Sequence, residues 1–157
     1  QIQKKFKNDN LVHYILSHSY MLFFVAIILG MIFDHFFPVS MIPKNYTDLG
    51  FLMMLLGSII IYWAQNTSSS SAKKLKDTGV RIFDSGPYKY TRNPTHIGLG
   101  IMTLGFGLIM QSIFIIGFLV VVYTISKLFF IPKQEKVLLS KYGDAYTQYK
   151  NKVTSRI

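Results

Sequence analysis

An all-α integral membrane fold with about four transmembrane helices is what this sequence predicts, on three observations. Half of its 157 residues are apolar, and they gather in blocks such as 21–33 and 113–122. Nearly all the charge lies between the blocks, whereas a water-soluble domain spreads charge along amphipathic helices and alternating strands. The charge is also one-signed, 17 Lys+Arg against 7 Asp+Glu, and falls in alternate loops. The length allows one domain, 1–157, without a separate cofactor domain. With no cysteine, disulfides, thiolate metal sites and cysteine nucleophiles are excluded, and no metal site is expected.

Four runs carry the hydropathy, at about 19–37, 49–64, 95–110 and 112–131. A spanning helix needs ~20 residues to cross a hydrocarbon core of ~30 Å. The first and fourth runs meet that length, while the second and third, at ~1.5 Å per residue, reach only ~24 Å. Tyr62 and Trp63 close the second run as an interfacial aromatic pair. Only Gln111 and Ser112 separate the third from the fourth, which predicts a tight antiparallel helical hairpin. The lysines ahead of the first run imitate a signal peptide, but no A-x-A-like cleavage site follows.

Orientation follows the basic residues. The segment before the first run, the loop after the second and the tail together hold 15 Lys+Arg, and the intervening loops hold one, Lys44. Lys127 is placed to snorkel toward the same basic side. Both termini and the long central loop are therefore expected in the cytoplasm, in a multi-pass arrangement. A net charge of +10 also raises nucleic acid as a partner. Here the basic residues fringe membrane helices and no recognition module is visible, so anionic lipid headgroups are the expected partners and nucleic acid is not. The intramembrane ionisable residues are Asp34, His35 and Lys127, all near run ends, which argues against an ion pathway.

Function is then expected in the cytoplasmic segments, about 79–98 and 132–153. Residues 66–72 (NTSSSSA) read as a flexible connector. Beyond it, Gly86-Pro87 marks a turn and Pro94 suits the first turn of the third helix. Arg92 and Asn93 fall just before that helix N-terminus, where free N–H groups and the dipole favour an anion, with His96 one step inside. The arrangement suits a carboxylate or phosphate; equally, Asn93 caps the helix and Arg92 meets lipid phosphate. In the tail, Val137, Leu138, Tyr142, Tyr146 and Tyr149 form an amphipathic pattern broken near Gly143. Glu135, the only acid between Asp84 and Asp144, returns through the hairpin to the side of Arg92.

Gly86-Pro87-Tyr88-Lys89-Tyr90-Thr91-Arg92-Asn93-Pro94-Thr95-His96-Ile97-Gly98 resembles the G-P-Y-x-Y-x-R-[HN]-P-x-Y-x-G signature of the isoprenylcysteine carboxyl methyltransferase family, whose superfamily includes phospholipid N-methyltransferases. Gln134-Glu135-x-x-Leu138, followed by Tyr142-Gly143, Tyr146, Tyr149 and Val153, resembles its E-E-x-x-L-x-x-x-[FY]-G-x-x-Y-x-x-Y tail. His96 stands where the family has Tyr, and Gln134 where it has the first Glu.

The resemblance implies S-adenosylmethionine bound at the cytoplasmic membrane boundary, and a lipophilic or lipid-modified acceptor. Arg92 or the third helix's N-terminus would take the donor's carboxylate, and Glu135 or Gln134 its ammonium. Tyr88, Tyr90, Tyr146 and Tyr149 are candidates for an adenine wall. The implied cofactor set is Tyr88, Tyr90, Arg92, Asn93, Pro94, His96, Gly98, Gln134, Glu135 and Tyr146, with Arg92 and Glu135 catalytic. Gly98 with Gly105, and Gly100 with Gly107, recur at seven residues on two faces, which reads as close helix packing. Three other readings stand beside this one: a phospholipid N-methyltransferase, an NADPH-dependent membrane reductase, and a non-catalytic adaptor or small transporter.

Overall fold

The computed structural model describes residues 2–39, 41–78 and 85–153, with the side chains of 2–17, 19, 72–78 and 141 outside the description. Among the described residues the chain is helical throughout, without strands. α1 runs Ile2–Phe36 and α2 runs Thr47–Thr78. α3 (Pro94–Ile109) and α4 (Ile113–Ile125) form the expected hairpin, and α5 (Ile131–Tyr142) and α6 (Asp144–Lys152) make the tail.

The boundaries follow from local chemistry. α1 stops just before Pro38, whose ring disfavours helical geometry in the residue ahead of it. α2 begins after a short turn at Lys44–Tyr46, with Asp48 in its first turn, where a carboxylate meets the positive end of the dipole. Gln111, at φ +54°, reverses the chain between α3 and α4. Ser112 then caps α4, its Oγ accepting from Ile115 N at 2.9 Å.

α4 passes into α5 through a widened turn at Ser126–Phe130, in which the Ile131 N–H bonds back to Ser126 O. Pro132 follows immediately; widening the preceding turn relieves the clash between its ring and the carbonyl four residues back. The extra residue in that turn also resets which face of α5 points inward. Gly143, at φ +54°, breaks the tail between α5 and α6 as the sequence pattern expected.

Two helix pairings build the bundle. α2 lies antiparallel on α3 along a seam of glycines. A Cβ added to Gly57 would come within 2.6 Å of the Gly98 carbonyl oxygen, and one on Gly105 within 2.6 Å of the Gly50 oxygen. The backbones touch there because nothing stands between them, as small-residue packing in membranes requires. Gly100 and Gly107 turn the other way, toward Tyr123 and Ile115–Ile116 of α4. Close packing on that second face is met at Gly107, where a Cβ would come within 3.0 Å of Ile116, and not at Gly100, where it would make an ordinary 3.6 Å contact. α1 packs on α4 through Phe23, Ala26, Leu119 and Val122, and Phe33 sets its ring 5.3 Å from Phe118 and 5.7 Å from Phe114.

The large apolar side chains point outward. Phe24, Phe51, Leu55, Val120, Leu128 and Phe129 are all more than half exposed, while Thr103, Ser112 and Ser126 are buried. So much contiguous apolar surface calls for lipid or a partner rather than water. Lys44–Ser71 and Ile113–Ser140 are long and apolar enough to cross a membrane, whereas the described apolar stretches Tyr20–Phe36 and Pro94–Ile109 are shorter. The second run, borderline from its own length, gains its reach from a 32-residue helix.

That length carries a correction. Residues 66–72 are not a flexible connector; α2 continues through them to Thr78. Serine and threonine compete with helix hydrogen bonding only weakly when a strong helix precedes them and a neighbour packs on them. The neighbour here is the Gly86 loop.

Candidate functional site

At the end of the bundle where α2 outlasts the apolar run, residues 85–93 form a short loop against the polar extension of α2. Gly86 adopts φ +56° and approaches Thr67 so closely that a Cβ would collide with its side chain. Ser71 Oγ and Ser85 Oγ lie 3.4 Å apart. The serine-rich stretch is therefore a seat: its small side chains let the Gly86–Lys89 turn settle on the helix. The same turn is held from the tail, where the Tyr149 hydroxyl donates to the Tyr88 carbonyl at 2.8 Å. Tyr146, Tyr149 and Val153 are buried together, with Tyr88, Leu138 and Tyr142 packed on them.

With the loop fixed, Arg92 meets Glu135. Arg92 NH1 stands 2.8 Å from Glu135 Oε1, and Lys150 Nζ 3.0 Å from Glu135 Oε2. The Arg92 and Glu135 side chains are only 11% and 14% exposed. Two cations thus share one carboxylate, Arg92 nearly buried and Lys150 reaching it from the solvent side at 45% exposure. The Arg92 contact is an ion pair without hydrogen-bond alignment: among the described residues, neither NH1 nor Nε has an aligned acceptor. Asn93 Nδ2 is also buried without one. Buried donors left open cost about 1–3 kcal/mol each, so their persistence at one spot suits an anionic ligand.

Tyr146 belongs to the same environment. Burial pushes its hydroxyl up to about 12, the Glu135 carboxylate adding to the shift and Arg92 opposing it. It stays a neutral phenol beside the ion pair across the physiological range.

The sequence-predicted residues divide under this geometry. Arg92, Asn93, Glu135, Tyr88 and Tyr146 converge, and Pro94 and His96 are buried in the first turn of α3. Gln134 is half-buried on α5, one residue before Glu135. Gly98 instead lies in the α2–α3 seam, where a Cβ would meet Ile61 and the Gly57 oxygen. Tyr90 is 74% exposed, and Tyr149 is taken up by the Tyr88 carbonyl and by the Tyr146 ring at 5.9 Å. Among the described residues no three His, Cys, Asp or Glu side chains gather as a metal-binding group.

Sequence reading missed Lys150, because a lysine on a basic tail helix carries no mark of its partner. It also missed Tyr20 of α1, whose hydroxyl is hydrogen-bonded with the side chains of Thr95 and Gln65.

Comparison with known proteins places this sequence in a family. A phospholipid methyltransferase family profile matches residues 46–145, well over half of the chain. The chain belongs to that family. The matched stretch holds both Arg92 and Glu135, and leaves out α1. Among curated relatives, the protein-S-isoprenylcysteine O-methyltransferase of Saccharomyces cerevisiae is 27% identical over 123 residues, 74% of this chain and 51% of the relative. That of Schizosaccharomyces pombe is 32% identical over 114 residues, 69% of this chain and 47% of the relative. The chain thus spans about half the length of the curated relatives it matches. No solved structure matches it.

Proposed function

We propose that this chain is a membrane methyltransferase that uses S-adenosylmethionine and methylates a lipophilic acceptor, an isoprenylcysteine carboxylate or a related amphiphile. The observation that carries the reading is the Arg92–Glu135 pair, drawn from segments far apart in sequence, with open donors on Arg92 and Asn93 beside it. An amino-acid head group carries one carboxylate and one ammonium. Arg92 and Asn93 offer donors to the first, and Glu135 offers an acceptor to the second, so the residues present fit the donor molecule. Tyr88 and Tyr146 provide aromatic wall beside them, Pro94, His96 and Gln134 close the site, and Gly98 and Tyr90 act at most indirectly.

The bound donor would supply a methyl group activated by a sulfonium. What the chain contributes is positioning and exclusion of water, since an in-line displacement at an activated carbon gains most from orientation. A carboxylate acceptor needs no general base. An amine or thiol acceptor needs one, and Glu135 or His96 is the group within the site that could take the proton. The names of the relatives favour the carboxylate, and the family match favours a methyl donor over a nicotinamide.

The same reading assigns four membrane crossings, on 19–37, 49–64, 95–110 and 112–131. Both termini and the site lie on the cytoplasmic side, with 79–98 and 132–153 forming the site of a single domain. Residues 79–84 and 154–157, with the charges they carry, lie outside the described residues. Outward apolar side chains on the first, second and fourth runs support those crossings, and the third follows from its hairpin with the fourth.

Calorimetric titration of the detergent-solubilised protein with S-adenosylhomocysteine, with NADPH as control, tests the function. Saturable binding of the first alone is expected. Binding of NADPH alone would move the chain to the reductases, and binding of neither by folded protein would leave a non-catalytic adaptor.

A further inference from the structure

We infer that Tyr20, on α1 and outside the stretch that matches the family, is a positioning residue of the methyl-transfer site, holding the first turn of α3 so that Arg92 and Asn93 keep their donors open to the ligand. The inference rests on the methyltransferase reading above.

Three observations carry it. The first is the missing cap. Asn93 occupies the N-cap position of α3, yet its side chain makes no capping hydrogen bond and its Nδ2 stays open. A helix start normally draws about 1 kcal/mol from such a cap. With that side chain withheld, the α3 start needs an anchor from elsewhere. The backbone offers little: Asn93 N reaches Thr91 Oγ1 only at 3.3 Å, and Ile97 N reaches Asn93 O at 3.3 Å.

The second is where Tyr20 bonds. Its hydroxyl meets Thr95, two residues from Asn93, together with Gln65 of α2, and it lies within electrostatic range of Tyr88. The two helix pairings of the bundle, α1 on α4 and α2 on α3, are thereby tied at the level of the site. Thr95 and His96 are buried there, 7% and 3% exposed.

The third is orientation. A tyrosine near the end of a membrane helix usually turns its hydroxyl toward the headgroups. Tyr62, at the corresponding end of the second apolar run, does so and is 72% exposed. Tyr20 turns inward and is half-buried.

Tyr20→Phe removes the hydroxyl and keeps the ring, so the test separates positioning from folding. Two probes are titrated into wild type and variant: S-adenosylhomocysteine, and 5′-methylthioadenosine, which lacks the amino-acid head. The variant should bind S-adenosylhomocysteine about three- to ten-fold more weakly, the worth of one hydrogen bond. It should bind methylthioadenosine as wild type does, with a melting temperature lowered by no more than the loss of one hydrogen bond accounts for. Thr95→Val should produce the same pattern, and the double variant should be no weaker than either single one.

Equal affinity of wild type and Tyr20→Phe for S-adenosylhomocysteine would overturn the inference. So would a parallel loss for both probes, which marks a merely structural hydroxyl. If Tyr20→Phe does not fold, Thr95→Val alone decides by the same readouts. Failure of the wild type to bind S-adenosylhomocysteine at all would overturn the methyltransferase reading, and this inference with it.

Discussion

The glycine seam between α2 and α3 and the polar crown above it are held together by opposite means. In the seam little polar is spent beyond a Ser58 Oγ–Met102 Sδ contact at 3.6 Å: Gly50, Gly57, Gly98 and Gly105 let two backbones touch, and each glycine has a geometric reason. In the crown, an arginine, a lysine and a glutamate are gathered, and donors on Arg92 and Asn93 are left open. Well-packed apolar contact would hold the crown at least as cheaply as a buried ion pair does. An arrangement that is costly and incomplete in one place, beside one that is complete, separates the part built to bind from the part built to hold.

The sharpest break of that contrast is in binding. Arg92→Ala and Glu135→Ala should each weaken S-adenosylhomocysteine binding by about two orders of magnitude or more, because each removes charged contacts worth roughly 1.5–3 kcal/mol apiece. Neither should unfold the bundle, whose seam they do not touch. The two differ in stability. Arg92→Ala leaves Glu135 paired with Lys150, while Glu135→Ala leaves two cations facing each other, so the second should melt lower. Calorimetry paired with thermal melts reads both effects, and retained wild-type affinity in either variant would remove that residue from the site.

The converse applies to the seam. Gly105→Ala would place a methyl 2.6 Å from one backbone oxygen and 2.8 Å from a backbone nitrogen of α2, neither of which can give way alone. Overpacking of this kind costs about 1–3 kcal/mol. The variant should melt lower while its folded fraction binds S-adenosylhomocysteine normally. A fall in affinity at unchanged melting temperature would show that seam and crown are not separable.

How much of this was legible in the sequence follows the same division. The runs, the hairpin and the two glycine faces could be read, because apolar length, Pro positions and glycine spacing are local and periodic. The family motifs brought Arg92 and Glu135 to notice, and the fold brings them together. The serine-rich stretch was misread because its composition suits a linker equally well; its role as a seat depends on Gly86, which arrives from elsewhere in the chain. Lys150 and Tyr20 were invisible for the same reason. A lysine on a basic tail and a tyrosine at a membrane boundary are commonplace, and only tertiary contact singles them out. Gly98 carried two readings, a place in the family motif and a place in a close helix contact, and the structure gives the geometric reason for the second.

Tyr146 gives a pH test of the crown alone. Its hydroxyl is raised from 10.0 to about 12. Between those values the native state keeps a proton that the unfolded chain loses, so stability is full below about pH 10 and falls as pH rises toward about 12. Tyr146→Phe should flatten that part of the alkaline melting profile relative to wild type. An unchanged slope would show that the Tyr146 hydroxyl is not buried in the folded crown.

The smallest effect has the opposite sign and tests the seam by its exceptions. A Cβ on Gly100 would sit 3.6 Å from the Tyr123 ring, an ordinary contact, and one on Gly117 would meet nothing within 4 Å. Neither glycine is excused by packing, so each carries only the entropic cost of glycine in a helix, about 0.5–1 kcal/mol relative to alanine. Gly117→Ala should therefore raise the melting temperature slightly, and Gly100→Ala should do no worse than leave it unchanged. Gly100 stands five residues from Gly105 on the same helix, and the same substitution should stabilise at one and destabilise at the other. Were both to destabilise equally, helix composition rather than backbone contact would govern this bundle, and the seam would lose its special standing.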